Sequence, residues 1–222
     1  MFPWKHNMKT IGINGSPRKN GNTAKLIEMA LTGAQNTGST TELIHLFDLN
    51  FKGCKSCLSC KRKCSPSFGR CTTNDDLTEI LTQIGTADVL LLGSPIYYGS
   101  VTGEMRSFLE RLLFPYMPTA RPDAATSKGS LKVGFIYAMG MPAERFEKLL
   151  KPFFDFSKEM FCRDFGNLKT LYCFDTILSE DQTNYDFETI SSDELEFKKK
   201  QFKIACAQAN DFGKQLAESV TQ

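Results

Sequence analysis

The chain has 222 residues, 41% apolar and 23% charged, which suits one domain of ordinary size with a sizeable core. Lysine and arginine number 27 against 25 aspartates and glutamates, and a net charge of +2 argues against a protein built to wrap nucleic acid, which shows a strong basic excess. No apolar run approaches the roughly 18 residues of a membrane-spanning helix; the opening MFPWKHNMK has no secretory apolar stretch, so a cytoplasmic protein with neither membrane nor nucleic-acid partners is expected.

Residues 1–8 read as a flexible tail, with residues 9–222 as a single domain. Residues 9–14, KTIGIN, form a short β-branched run that stops at Gly15-Ser16-Pro17, a buried strand followed by a turn. From Thr23 onward Ala24, Leu26, Ile27, Ala30, Leu31 and Ala34 recur at helical spacing, and turn residues around Gly38 close that helix. Residues 40–47 alternate as a second strand. Residues 53–71, rich in Cys, Lys, Arg, Ser and Gly, read as a loop. Asn74-Asp75-Asp76 then supplies a cap and an acidic start for a helix carrying Leu77, Ile80, Leu81 and Ile84.

Residues 87–93, ADVLLLG, are continuously apolar, as in a central strand buried on both faces. A turn at 94–99 follows, then a helix with Met105, Phe108, Leu109, Leu112 and Leu113, and a polar, proline-containing connection at 115–129. Residues 131–138 make a fourth strand, 143–161 a helix that Pro152 kinks or breaks, and 168–174 a fifth strand. After a polar stretch at 179–192, a last helix places Phe202, Ala205, Ala209, Phe212 and Leu216 at 3-4-3-4 spacing. Strands alternating with helices mean βαβ units. The expectation is an α/β fold, a doubly wound five-stranded parallel sheet with helices on both faces. Such sheets bind ligands beyond the carboxyl ends of their strands, and the unusual residues here follow strands one, two and three, at one sheet edge.

The loop at 15–23 has glycines that let the backbone fold round an anion, and the helix behind it offers unpaired N–H groups and a positive dipole end. Ser16, Asn22 and Thr23 add short donors and Arg18 a cationic fork suited to phosphate. The Gly-Lys-Ser/Thr ending of a nucleotide P-loop and the G-x-G-x-x-G fingerprint are both missing, which points to a mononucleotide phosphate. An ordinary polar strand-to-helix turn is the competing reading. The second loop, Ser94-Pro95-Ile96-Tyr97-Tyr98-Gly99-Ser100, offers aromatic surface and backbone amides to a flat ring, although two tyrosines after a core strand also serve as packing.

Eight cysteines are present, and five fall in the window 54–71, where even spreading would put fewer than one. Their pattern is C-x2-C-x2-C-x3-C-x6-C. In a reducing compartment such a cluster speaks for metal or redox chemistry. Thiolates at x2 spacing can face one cubic iron–sulfur cluster, whereas structural zinc more often uses two separated knuckles. Unliganded thiols, a reversible disulfide and adventitious zinc are the alternatives. Cys162, Cys173 and Cys206, scattered among apolar residues, read as small core residues. His6 lies in the tail and His45 in the second strand, where a hydrogen-bonded structural role is expected.

The loop at 15–23, the 54–71 segment with Asp75-Asp76, and the stretch GSPIYYGSVTGEMRSFLER at 93–111 together resemble the flavodoxin-like NADPH-dependent FMN reductase and iron–sulfur flavoprotein family. The resemblance covers roughly the first 115 residues and implies a flavodoxin-like fold for 9–222. It implies FMN, with the phosphate on Ser16, Arg18, Asn22 and Thr23 and the isoalloxazine against Pro95, Ile96, Tyr97, Tyr98 and Gly99. It also implies a homodimer or homotetramer, with NAD(P)H and a small acceptor as partners. Arg106 stands where many relatives have lysine, and keeps the charge. Cys54, Cys57 and Cys60 would hold a [4Fe-4S] cluster. Cys71 matches the fourth ligand by its place before the Asp-Asp pair, and Cys64 by loop length. Reach favours Cys71: a three-residue spacer carries the next thiolate away from the same cube, while 61–70 is long enough to return Cys71 to it.

The activity so implied is an FMN-dependent oxidoreductase passing hydride from NAD(P)H to flavin, and on to a quinone, nitro compound or flavin, with no side chain as nucleophile. The rival is a non-enzymatic electron carrier serving protein partners through FMN and a cluster.

Overall fold

The β-branched run Lys9–Asn14 forms β1, buried from Thr10 onward because both of its edges and both of its faces are covered. The computed structural model describes residues 8–117, 131–166, 168–179, 184 and 190–220. The tail at 1–7 with His6, most of the 115–129 connection and most of the 179–192 stretch lie outside the described residues. On one side β1 pairs in parallel with β2 (Thr40–His45), on the other with β3 (Val89–Tyr97). Beyond β3 come β5 (Lys132–Ala138) and β6 (Leu168–Cys173), also parallel, giving the order β2-β1-β3-β5-β6. That is the flavodoxin-type order, with the binding edge where β1 and β3 diverge to opposite crossovers.

A sixth strand goes beyond the sequence expectation. β3 does not stop at Gly93 but continues to Tyr97 and folds back antiparallel onto β4 (Ser100–Val101), pairing Ile96 with Val101 and Tyr97 with Ser100. The two turn residues, Tyr98 (φ 49°) and Gly99 (φ 81°), are both left-handed, the combination a two-residue hairpin turn requires.

Helices α1 (Asn22–Gln35) and α6 (Ser192–Glu218) cover one face of the sheet, over Val89, Leu91, Ile136 and Ala138. They cross with their backbones in contact. A Cβ on Gly33 would lie 1.9 Å from the Asn210 carbonyl oxygen, and one on Gly213 would lie 1.8 Å from that of Ala30. The other face carries α2 (Leu77–Ile84), α3 (Gly103–Leu113), α4 (Ala143–Leu149) and α5 (Lys151–Phe165) over Leu90, Leu92, Phe135 and Tyr137. The break expected at Pro152 falls at Leu150, so that the proline sits in the first turn of α5, where its missing N–H has no helical partner to lose.

Candidate functional site

In register, the last residue of β1, Asn14, stands between His45 at the end of β2 and Gly93 in β3, so the loops after these three strands share one edge. Asn14 is fully buried and organises the first loop. Its Nδ2 lies 2.9 Å from His45 Nδ1, and its Oδ1 accepts the Ser16 N–H at 3.0 Å. Ser16 Oγ in turn accepts the Arg18 N–H at 3.2 Å, and the Gly21 N–H closes the turn onto the Arg18 carbonyl. Helix α1 follows Gly21 with no side chain capping its first turn, as at α4 and α5, while Thr102 caps α3 and Ser191 caps α6. The first-turn N–H groups of α1 are the donors an anion would meet.

Of the four residues expected at a phosphate, Ser16 and Thr23 are buried in the loop and helix start. The other two reach across it: Arg18 Nη1 donates to the Leu178 carbonyl at 2.5 Å and Asn22 Nδ2 to that of Ile177 at 2.9 Å. The segment after β6 thus lies against the same loop, a neighbour no local pattern announced. A guanidinium has five N–H donors, so this bond leaves others for a phosphate.

The hairpin lies beside this loop and is tied to it. Gly15 N donates to the Gly93 carbonyl at 2.8 Å, and Thr102 Oγ1 donates to the Gly15 carbonyl at 2.7 Å while accepting the Met105 N–H. A Cβ on Gly15 would meet Met105 at 2.8 Å, so α3 closes directly against the loop. Pro95 and Ile96 are half-buried, Tyr97 is exposed and Tyr98 is fully exposed at the turn with Gly99. This surface of amide, aliphatic and phenol groups beside an uncapped helix end fits a flat ring carrying a phosphate arm, the shape and charge of FMN.

The cysteine segment leaves β2 through a 3-10 turn at Leu46–Asp48. Ser56, Leu58 and Cys64 take left-handed conformations, sharp reversals for residues that carry a Cβ. Cys54, Cys57, Cys60 and Cys71 line one small cavity with Thr72, Thr73, Arg111 and Phe114; Cys64 is exposed and does not contribute to it. Among the described residues no three His, Cys, Asp or Glu side chains are arranged to hold a single metal ion. Four thiols lining one cavity are the donor type that an iron–sulfur cluster takes. The Ser56 N–H points to Cys54 Sγ at 3.4 Å, and Arg111 Nε to Cys71 Sγ at 3.3 Å. Hydrogen bonds from the Ser59 N–H and hydroxyl lower the Cys57 thiol from its ordinary value, while burial raises that of Cys60 against the pull of Lys61.

Two α3 residues brace this segment. Glu110 Oε2 accepts the Cys54 N–H at 3.2 Å. Arg111, 1% exposed, pairs with Asp75 Oδ2 and donates to the carbonyls of Lys52 and Thr73. Burial opposes its charge, but the bonds to Asp75 and Cys71 outweigh that and hold the guanidinium above its ordinary value. Asp75 is therefore more than the helix start expected of it: Oδ1 accepts the Leu77 N–H and Oδ2 serves Arg111. Sequence reasoning missed Arg111 as a functional residue. Its signal was a cation three residues after Phe108, on the face that buries Met105, Phe108 and Leu112.

A larger cavity, about 580 Å³, opens between α3 and α5. It runs from Gly99–Val101 and Cys54 to Phe153 and Phe156 of α5, over Phe135 and Tyr137, with Arg106 and Glu110 among its polar groups.

Sheet order and helix layering define a flavodoxin-like α/β protein. Residues 8–145 match the family model for NADPH-dependent FMN reductase, and the chain belongs to that family. It is 36% identical over 115 residues to an iron-sulfur flavoprotein of Archaeoglobus fulgidus (51% of this chain, 50% of the relative). It is 40% identical over 104 residues to one of Methanocaldococcus jannaschii (47% and 51%). The chain spans about half the length of these curated relatives. Among solved structures, the NAD(P)H:quinone oxidoreductase from Methanothermobacter marburgensis superposes with a TM-score of 0.69 at 16% identity, covering 95% of this chain and 99% of that one. An azoreductase from Bacillus anthracis gives 0.62 at 13%, covering 94% and 99%. At such identities the likeness is one of fold.

Proposed function

We propose that the protein is an FMN-dependent oxidoreductase that takes hydride from NAD(P)H and hands the electrons to a small acceptor. The observation that carries this reading is the bonding of the 15–23 loop to the hairpin at the edge of β1 and β3, where an uncapped helix start and an apolar-aromatic turn adjoin. When bound, FMN supplies the hydride-accepting ring and the storage of electrons. The chain binds and orients it. Ser16, Arg18, Asn22, Thr23 and the first turn of α1 hold the phosphate, and Pro95, Ile96, Tyr97, Tyr98 and Gly99 flank the ring. The aromatic cavity between α3 and α5 begins at the same hairpin and suits a flat, weakly polar acceptor such as a quinone, a nitro compound or a flavin. Cys54, Cys57, Cys60 and Cys71 hold a [4Fe-4S] cluster; their shared cavity and the N–H groups aimed at their sulfurs support this set over one using Cys64.

The test is anaerobic stopped-flow spectroscopy of purified, flavin-loaded protein mixed with NADPH or NADH. Bleaching of the flavin band on a turnover timescale is expected. Loaded protein that neither nicotinamide bleaches, yet that exchanges electrons with a redox protein, is the carrier of the rival reading. The doubly substituted Arg18→Ala, Thr23→Val chain should bind FMN a few kcal/mol more weakly, about what lost charged hydrogen bonds cost. Full flavin retention at unchanged affinity would place the phosphate elsewhere.

A further inference from the structure

Arg111 is the largest fully buried side chain among the described residues, and it is a cation. Three of its bonds are structural: Asp75, the Lys52 carbonyl and the Thr73 carbonyl fix the two ends of the cysteine segment to α3. The fourth is of another kind. Nε donates to Cys71 Sγ at 3.3 Å, on the wall of the cavity that Cys54, Cys57 and Cys60 share. A structural strut has no need of a thiol as acceptor, since a buried guanidinium finds carbonyls more easily.

We propose that Arg111 is a positioning residue for the iron–sulfur cluster: it fixes Cys71 as the fourth thiolate and, through the N–H···S bond, raises the cluster's reduction potential. The inference rests on the reading that these four cysteines hold a cluster. Its physics is charge. Reduction adds one electron to a four-iron centre that is already anionic with its thiolates, and no bond forms or breaks. The reduced state carries more negative charge on sulfur, so a cationic donor stabilises it more than the oxidised state. Arg111 reaches the loop from α3, which is anchored at its other end to the 15–23 loop through Thr102. The helix thereby spans both proposed cofactor sites. Arg111 stands eight positions after Gly103, a rise of about 12 Å at the helical 1.5 Å per residue.

The experiment compares wild type, Arg111→Lys and Arg111→Gln, purified anaerobically with FMN bound. Iron, acid-labile sulfide and the cluster midpoint potential are measured, the last by dithionite titration followed by electron paramagnetic resonance. Arg111→Gln should lose much of its iron and shift what remains to lower potential, and Arg111→Lys, which keeps the charge but not the fork, should fall between. The sign separates tuning from scaffolding, because a merely loosened loop admits water, which favours the more charged reduced state and moves the potential up. A full cluster at unchanged or raised potential in Arg111→Gln overturns the proposal while leaving the cluster reading intact. Should that variant fail to fold, the potential of Arg111→Lys decides in the same way. Wild type with FMN but no iron overturns the cluster reading itself, and with it the proposal.

Discussion

The loop after β1 and the loop after β2 leave the sheet side by side and differ in how far their shape rests on distant chain. The first closes its turn locally: bonds join residues two or three apart, Ser16 to Asn14, Arg18 to Ser16 and Gly21 to Arg18, while Gly93, Thr102, Ile177 and Leu178 bond to the loop from outside. The second has local turns of its own, 3-10 at Leu46–Asp48 and Ser59–Lys61 and a series over 62–70, but its ends are fixed by distant chain. Glu110 reaches Cys54 across 56 positions, Arg111 reaches Lys52 across 59, and Lys61 Nζ donates to the carbonyls of Pro115 and Met117. A short turn closed by its own bonds presents its backbone donors in a fixed array. A long loop rich in thiols needs bonds from a scaffold, besides its local turns, to fix the arrangement of its sulfurs.

The largest test of that contrast is Asp75→Ala. It leaves Arg111 buried without its counter-charge, and breaking a buried pair from one side costs about 3–5 kcal/mol. The matched change in the other loop, Ser16→Ala, removes one local bond and costs about 1 kcal/mol. Urea unfolding of both variants should show that ratio. Equal costs would mean that the two loops depend on their surroundings alike.

The same contrast explains what the sequence made legible. The five parallel strands, the helices between them and the 15–23 turn follow from patterns only a few residues long, and the structure has each of them. Apolar continuity at 87–93 marked the central strand but not its extension into a hairpin. Residues 94–97 carry no alternation that distinguishes strand from turn, and the pairing depends on Ser100 and Val101 coming back. Asp75 read as a helix start because its partner lies 36 positions away. Arg18 and Asn22 likewise meet carbonyls 160 and 155 positions distant, which no periodicity encodes. The preference for Cys71 over Cys64 rests on reach along the chain; the contact of Arg111 with Cys71, 40 positions apart, is one that no local pattern encodes.

A smaller effect sharpens the comparison at the point where the two systems meet. Thr102 caps α3 and bonds to the Gly15 carbonyl, so Thr102→Val loses two hydrogen bonds at nearly constant shape, about 2 kcal/mol in all. The loss falls at the α1 end of α3, one helix length from Arg111. FMN affinity should drop while the iron content of the anaerobic protein stays at the wild-type value. A parallel loss of iron would show that the cysteine loop depends on the first loop as well as on α3.

An effect that is absent at neutral pH concerns a thiol outside both loops. Cys173 ends β6, 3% exposed, and burial pushes its thiol up to about 12 from an ordinary value of 9.0. Above pH 9 the unfolded chain gives up that proton while the folded chain keeps it. The unfolded state then binds fewer protons, and stability falls as pH rises from about 9 to about 12. Each unit in that window corresponds to about 1.4 kcal/mol. Lysines and tyrosines titrate there too, so the measurement is a difference: wild type against Cys173→Ala, unfolded in urea at several pH values. The offset between the two should be constant below pH 9 and should move by about 1.4 kcal/mol per unit above it, in favour of the variant. Alkylation gives the same ordering without unfolding. In metal-free protein at pH 8, iodoacetamide should modify the exposed Cys57 and Cys64 and leave Cys173 untouched. Early labelling of Cys173 would mean that the end of β6 opens to solvent, and that the segment bonded to Arg18 and Asn22 opens with it.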